Sequence, residues 1–444
     1  MFDYSIMERI LSSPKKTRLH GDVLRLLFLH MDPILPLPRL KMISVLYHVL
    51  GAIPSYQGSV GPTLNELCLG LQYEEVALAL SGVYVKDLHV RLACLNAAKC
   101  IPAISSRSVP QDVEIATNIW IALHDLEKSV AEVAEDLWDR YDCEFGTNYS
   151  GLFRALSHVN YNVRVAASDA LVAVLDEYPD TLQESLATLF SLYIRDSGVG
   201  EDMIDSGWFG RQVIAMALQA AADVLRTKDL PVVMTFLISQ ALVKMINVGI
   251  MIIDKHGKDN ISLLFPIFEN YLNKKVSICC KSKFSLEIKY ETPKAPDEEK
   301  YDLVREGVVI FTGALAKHLS KDDPKVHAVV EKLLEVINTP SEAIQRAVSS
   351  CLSPLMKLKQ EDALSLVTRL LDQLMKSEKY GERRGAAFGL AGVIKGFGIS
   401  SLKKYGAATI LREGLAHRNS AKCREGSLLA FECLSEKLGK LFEP

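Results

Sequence analysis

Between Asn160 and Leu175 the chain reads NYNVRVAASDALVAVL, a polar turn followed by apolar residues at helical spacing. Val163, Ala166, Ala167, Ala170, Leu171 and Val174 fall on one face, and the two adjacent alanines leave room for another helix to come close. The pattern predicts the second helix of a helix hairpin, and it recurs. Aligned on its Val-Arg step, it returns at Val90-Arg91, Val130-Ala131, Val163-Arg164, Gly210-Arg211, Val304-Arg305, Gln345-Arg346, Arg383-Arg384 and Cys423-Arg424, with a broken copy at Val243-Lys244. Two positions further on stands Ala93, Val133, Ala166, Val213, Gly307, Val348, Ala386 or Gly426, always small or branched. The intervals are 40, 33, 47, 33, 61, 41, 38 and 40 residues. Two helices in a period of about 40 residues belong to the HEAT and armadillo class, an all-α solenoid in which neighbouring hairpins bury the faces none could bury alone.

The elements follow in order. Residues 1–60 are atypical, with apolar stretches at Val23–Leu29 and Leu40–Leu50 around Pro33, Pro36 and Pro38. Hairpins are expected at 62–81 with 87–101, closed by Pro102, and at 111–141, where Trp120 and Trp138 read as packing between repeats. A first helix is expected at Leu182–Ile194, followed by an acidic, glycine-containing loop at 195–207 that lacks the ligand spacing of a calcium loop. Leu230–Ile253 is long and apolar enough to raise a membrane span, but the interval before it is short by roughly one turn's worth of chain. It therefore reads as two repeat helices joined without their loop. Val276–Pro296 loses helical periodicity and lengthens the 61-residue interval, marking an irregular insertion. The expected division is a first stretch of solenoid at 1–275, the insertion at 276–297 and a second stretch at 298–444, with Pro340, Pro354 and several glycines as punctuation.

Composition narrows the function. With 444 residues, 49% apolar, the chain can bury a large core, and a net charge of −3 gives no global attraction to polyanions. Nine cysteines without a Cys-x-x-Cys step fit buried thiols in a reducing compartment, and MFDYSIMERI does not read as a signal peptide. The histidines show no metal-ligand spacing, no nucleophile–base grouping can be drawn, and Gly396-Phe397-Gly398 reads as a helix cap rather than a phosphate loop. No catalytic, cofactor or metal residues are assigned; the expectation is a non-enzymatic protein of the cytosol.

Charge is unevenly spread. Ten acids face two bases between Gln111 and Glu144, while eleven bases face three acids between Lys376 and Arg424. Arg384 and Arg424 sit on the repeat register and read as structural ladders. The candidate surface for a phosphate backbone or an acidic partner is Arg383, Lys395, Lys403, Lys404, Arg412, Arg418 and Lys422.

Long runs then point further. EKYGERRGAAFGLAGVIKGFGISSLKKYGAATILREGL and CREGSLLAFECLSEKLGKLFEP, with Asp87–Ile104, Trp138–Leu171 and Asp205–Leu242, resemble the central region of the large HEAT-repeat translational activator of the eIF2-alpha kinase. That region is itself similar to the HEAT portion of fungal translation elongation factor three. The resemblance implies a scaffold that contacts ribosomes (rRNA) and a cassette-ATPase partner in the response to amino-acid starvation, with no membrane association. Family members are several times longer, and their kinase-docking segment has no counterpart here. Breaks at 243–244 and 276–296 lead us to expect a truncated or imperfect gene model, or a splice form. Periodicity alone also allows a HEAT-type transport or phosphatase adaptor.

Overall fold

In the computed structural model, residues 9–11, 21–25, 38–105, 109–144, 146–196, 206–240, 243–273, 298–321 and 323–442 are described. They form two compact units, Met1–Val224 and Leu225–Pro444, both all-α solenoid in construction. The proline cluster at 33–36, most of the loop 195–207 and the whole insertion 276–297 lie outside the described residues.

The N-terminal unit runs through α1 (Arg39–Ala52), α2 (Gln57–Leu69), α3 (Tyr73–Ala79), α4 (Leu88–Ala98), α5 (Val109–Leu123), α6 (Lys128–Arg140), α7 (Ser150–Ala155), α8 (Tyr161–Glu177), α9 (Leu182–Asp196) and α10 (Ser206–Ala221). The helix expected over 62–81 is broken. Its first half ends at Leu69, and a new helix restarts after Gln72, whose N–H donates to Glu75 Oε2 at 2.9 Å and caps the fresh start. Asp87 and Asn160 accept from Val90 and Asn162 N–H and set the starts of α4 and α8. Helices α2, α4 and α6 pack in succession, α5 packs on both α6 and α8, and α8 packs on α10. Trp120 packs between repeats, its Nε1 donating to Ala170 O of α8 at 2.9 Å, while Trp138 meets it inside the 111–141 hairpin, 4.6 Å between ring centres.

The C-terminal unit holds α11 (Leu230–Gln240), α12 (Val243–Asn273), α13 (Glu298–Ala316), α14 (Lys325–Val336), α15 (Glu342–Met356), α16 (Ala363–Lys376), α17 (Tyr380–Phe397), α18 (Ser400–Lys404), α19 (Ala407–Ala416) and α20 (Ala421–Leu438). Leu230–Ile253 is thus shared between two helices. Where α12 bends is instead at Asn260 (φ −122°, ψ 20°), whose side-chain amide donates to His256 O at 2.8 Å. Among the described residues no helix is long and apolar enough to cross a membrane. One layer stacks α12, α13, α15, α17 and α20; α14, α16 and α19 cover it from the other side, each against α15, α17 and α20 respectively. Pro354, expected between helices, sits inside α15 two residues before its end. So late in the helix, its missing N–H costs a single bond of the ladder.

Candidate interaction surface

Five of the second helices of repeats carry a side chain that ties the helix to the turn before it, and in each it is the fourth helical residue. Arg91 is fourth in α4, and its Nη1 donates to Val85 O (3.2 Å) and Lys86 O (2.7 Å). Arg164 is fourth in α8 and donates to His158 O (2.8 Å) and Val159 O (3.1 Å). Arg383 is fourth in α17 and donates to Ser377 O (3.1 Å) and Glu378 O (2.9 Å). In α15 the place is held by Gln345, fully buried, whose amide reaches Ile337 O, Thr339 O and Gly381 O. In α20 it is Arg424, reaching His417 O and Arg418 O. Turn carbonyls have no helical partner of their own, and a guanidinium satisfies two at once from one rigid fork.

This corrects the register read from sequence, which in α15 and α17 is one residue late. Arg383, and not Arg384, is the equivalent of Arg91 and Arg164. Arg384 works between repeats instead, donating to Gln345 Oε1 at 2.8 Å and to Pro340 O. The signal for the correct phase was the polar turn, counted forward four residues; the Arg-Arg doublet drew the alignment to its second member.

The same geometry sorts the seven candidate cations. Arg383 is 5% exposed and also paired with Glu425, so its charge is spent inside the fold rather than offered to a partner. Lys422 is exposed but paired with Glu378 in the turn before α17, one repeat earlier. Nearby, Lys376 pairs with Asp372 at 3.0 Å and Lys379 with Glu382 at 3.0 Å. The remaining five, Lys395 late in α17, Lys403 and Lys404 on α18, Arg412 on α19 and Arg418 in the turn after it, are exposed. None of these five lies within 4.0 Å of a carboxylate among the described residues. Lys404 Nζ rests 5.3 Å from the centre of the Tyr405 ring. The α18–α19 corner is set by Gly398 (φ 92°), which caps α17, and Gly406 (φ 72°), which starts α19; both take backbone conformations that suit glycine. Of the seven candidate cations, five therefore have no carboxylate partner among the described residues, and they lie on α17–α19 and the turn that follows.

The acids of the N-terminal unit behave differently. Asp125 is drawn inward by Arg91, Asp136 pairs with Lys99 at 2.7 Å, and Lys99 holds the Asp136 carboxyl below its ordinary range. A shallow groove at the ends of α5, α8 and α10 is lined by His124, Asp169, Asp176 and Asp223. Burial raises the Asp169 carboxyl, with His124 opposing, and burial lowers His124. Among the described residues no group of three or more His, Cys, Asp or Glu is placed to hold a metal ion. The described cysteines are free thiols, and burial pushes Cys94 up to about 11 and Cys351 to about 12, so neither is a nucleophile near neutrality.

Residues 106–279 match the family described as the HEAT repeats of the stalled ribosome sensor GCN1. The chain carries a GCN1-like HEAT region. Relatives extend the likeness beyond the matched segment. Protein ILITYHIA of Arabidopsis thaliana is 70% identical over 408 residues, covering 90% of this chain and 14% of that protein. The stalled ribosome sensor GCN1 of Homo sapiens is 31% identical over 444 residues, covering 92% of this chain and 16% of its own length. The eIF-2-alpha kinase activator GCN1 of Dictyostelium discoideum is 28% identical over 431 residues, covering 92% and 15%. The chain thus spans about a sixth or less of the curated relatives it matches.

Proposed function

We propose that this chain is a non-catalytic HEAT-repeat scaffold of the cytosol in translational control, corresponding to the elongation-factor-three-like part of a GCN1-type activator. In this reading it contacts ribosomes and a cassette-ATPase partner in the pathway that activates the eIF2-alpha kinase on amino-acid starvation. The names of its relatives, a stalled ribosome sensor and an eIF-2-alpha kinase activator, support the pathway. The observation that carries the contact is the group of unpaired, exposed cations at Lys395, Lys403, Lys404, Arg412 and Arg418. Exposed cations without internal partners displace counterions from a phosphate backbone at no cost to the fold.

Ribosome co-sedimentation tests this. Lys403→Glu with Lys404→Glu changes the local charge by four and is expected to lower the ribosome-bound fraction severalfold at near-physiological salt. Circular dichroism should remain unchanged, since both lysines are exposed and neither pairs with a carboxylate among the described residues. Arg383→Gln, by contrast, is expected to lower stability. An unchanged bound fraction in the Lys403/Lys404 variant overturns the reading.

A further inference from the structure

In a stack of repeats each hairpin ordinarily touches only the hairpins beside it. The end of the C-terminal unit departs from this. Helix α17 packs against α15 on one side and α20 on the other, yet α15 and α20 are also bonded directly. Arg346 of α15 pairs with Glu436 of α20, 90 positions away, and Lys437 Nζ donates to Ser350 Oγ at 2.7 Å across 87 positions. The Arg346 guanidinium passes over α17 on the way, 5.0 Å from the centre of the Phe388 ring, and is held from behind by Glu342 at 2.9 Å.

The middle helix is built to be crossed. A Cβ at Gly392 would stand 2.4 Å from Ser349 O, and one at Gly396 would stand 2.4 Å from Ser353 O. Without side chains there, α17 lies backbone to backbone on α15, drawing the flanking helices within reach of one another.

We propose that Arg346–Glu436 and Lys437–Ser350 form a clasp over α17, a salt-sensitive device that holds α15 and α20 together and uncovers the Phe388 face when released. It stands independently of the ribosome reading. A lone exposed ion pair holds little, because water and salt compete for both charges. Here the arginine is fixed by two carboxylates and a ring, and a second bond closes beside the first, so the two arms share one ordering cost. The face has a reason to open once the clasp is cut. Burial lowers the Lys437 ammonium, and the charge of Lys395 on α17 lowers it further, so the two cations repel between α17 and α20.

Hydrogen exchange on the whole chain tests it, with Arg346→Gln, Glu436→Gln and the double variant. At low salt each single variant is expected to raise exchange in the 432–438 segment of α20 severalfold. The double variant should exchange no faster than the singles, because either change removes the same bond. In about 1 M NaCl, where the screening length falls to about 3 Å, the unaltered chain should approach the variants. Lys437→Met, which keeps the stem and removes the second arm, should act in the same direction. Unchanged exchange in the singles at low salt overturns the proposal, and so does an additive double variant or salt-insensitive exchange in the unaltered chain.

Discussion

The two units solve one stacking problem with different materials. On α4 and α8 of the N-terminal unit the small residues buried between helices are alanine: Ala93, Ala97, Ala98, Ala166, Ala167 and Ala170. On α17 of the C-terminal unit glycine makes the closest approaches, with Gly385, Gly389, Gly392 and Gly396 spaced along one stripe. The turn-locking position differs too. Arg91 lies against Asp125, both almost wholly buried, with Nε 2.9 Å from Oδ2 but too bent for a hydrogen bond through that atom; the bond itself runs from Nη2 to Asp125 Oδ1 at 3.3 Å. Arg383 faces the half-exposed Glu425, and in α15 a neutral glutamine suffices. Alanine spacing with a buried ion pair leaves the N-terminal unit dependent on single charges. Glycine spacing leaves the C-terminal unit dependent on the absence of single methyl groups.

The sharpest way to break this contrast is to remove the charges. Arg91→Ala should destabilise the N-terminal unit by about 3–5 kcal/mol, because Asp125 is left buried without its counter-ion and two turn carbonyls lose their donor. Arg424→Ala, whose side chain reaches carbonyls in an exposed turn, should cost about 1 kcal/mol. Chemical denaturation of the two variants side by side checks the ratio; equal losses would show that burial of the pair is not what separates the units.

Next in size are the methyl groups. Gly392→Ala drives a Cβ against the backbone of Ser349, an overpacking that costs about 1–3 kcal/mol after the helix-propensity gain is counted against it. Gly58→Ala in α2 meets nothing within 4 Å and should stabilise by roughly 0.5 kcal/mol through the same propensity. Opposite signs from one chemical change, read as shifts in denaturation midpoint, are the expected outcome.

Much of this was legible in sequence, and the failures have physical causes. The hairpin at 111–141 and the α8 helix show because strong periodicity coincides with a recognisable cap, as at Asn160. The break inside 62–81 was hidden because Leu69 and Leu71 keep the apolar run going through Gly70, while the restart depends on a hydrogen bond from Gln72 to Glu75. The basic surface was legible as a count of charges but not as a set of residues. Sequence counts charge along the chain, whereas Glu425 reaches Arg383 and Glu378 reaches Lys422 only through stacking of adjacent repeats.

The smallest expected effect is in pH. His158 packs its ring 5.4 Å from that of Tyr84, and its Nδ1 accepts the Asn160 N–H at 3.1 Å, so the bond exists only with that nitrogen unprotonated. Burial holds the His158 imidazole below its ordinary range, and the Arg164 guanidinium lowers it further. The unfolded chain therefore binds a proton at higher pH than the folded one. The histidine's contribution is complete above its unfolded value of about 6.5 and is lost as pH falls through that value towards the lower folded one. In the C-terminal unit the histidine at a turn-locking contact is His417, which is exposed and meets Arg424 through its backbone carbonyl. Thermal midpoints at pH 7.5, 6.5 and 5.5 should thus fall by a shift on the order of 1 °C that His158→Gln flattens. The same slope in both proteins would mean that another group, His124 at the acidic groove first among them, carries the titration.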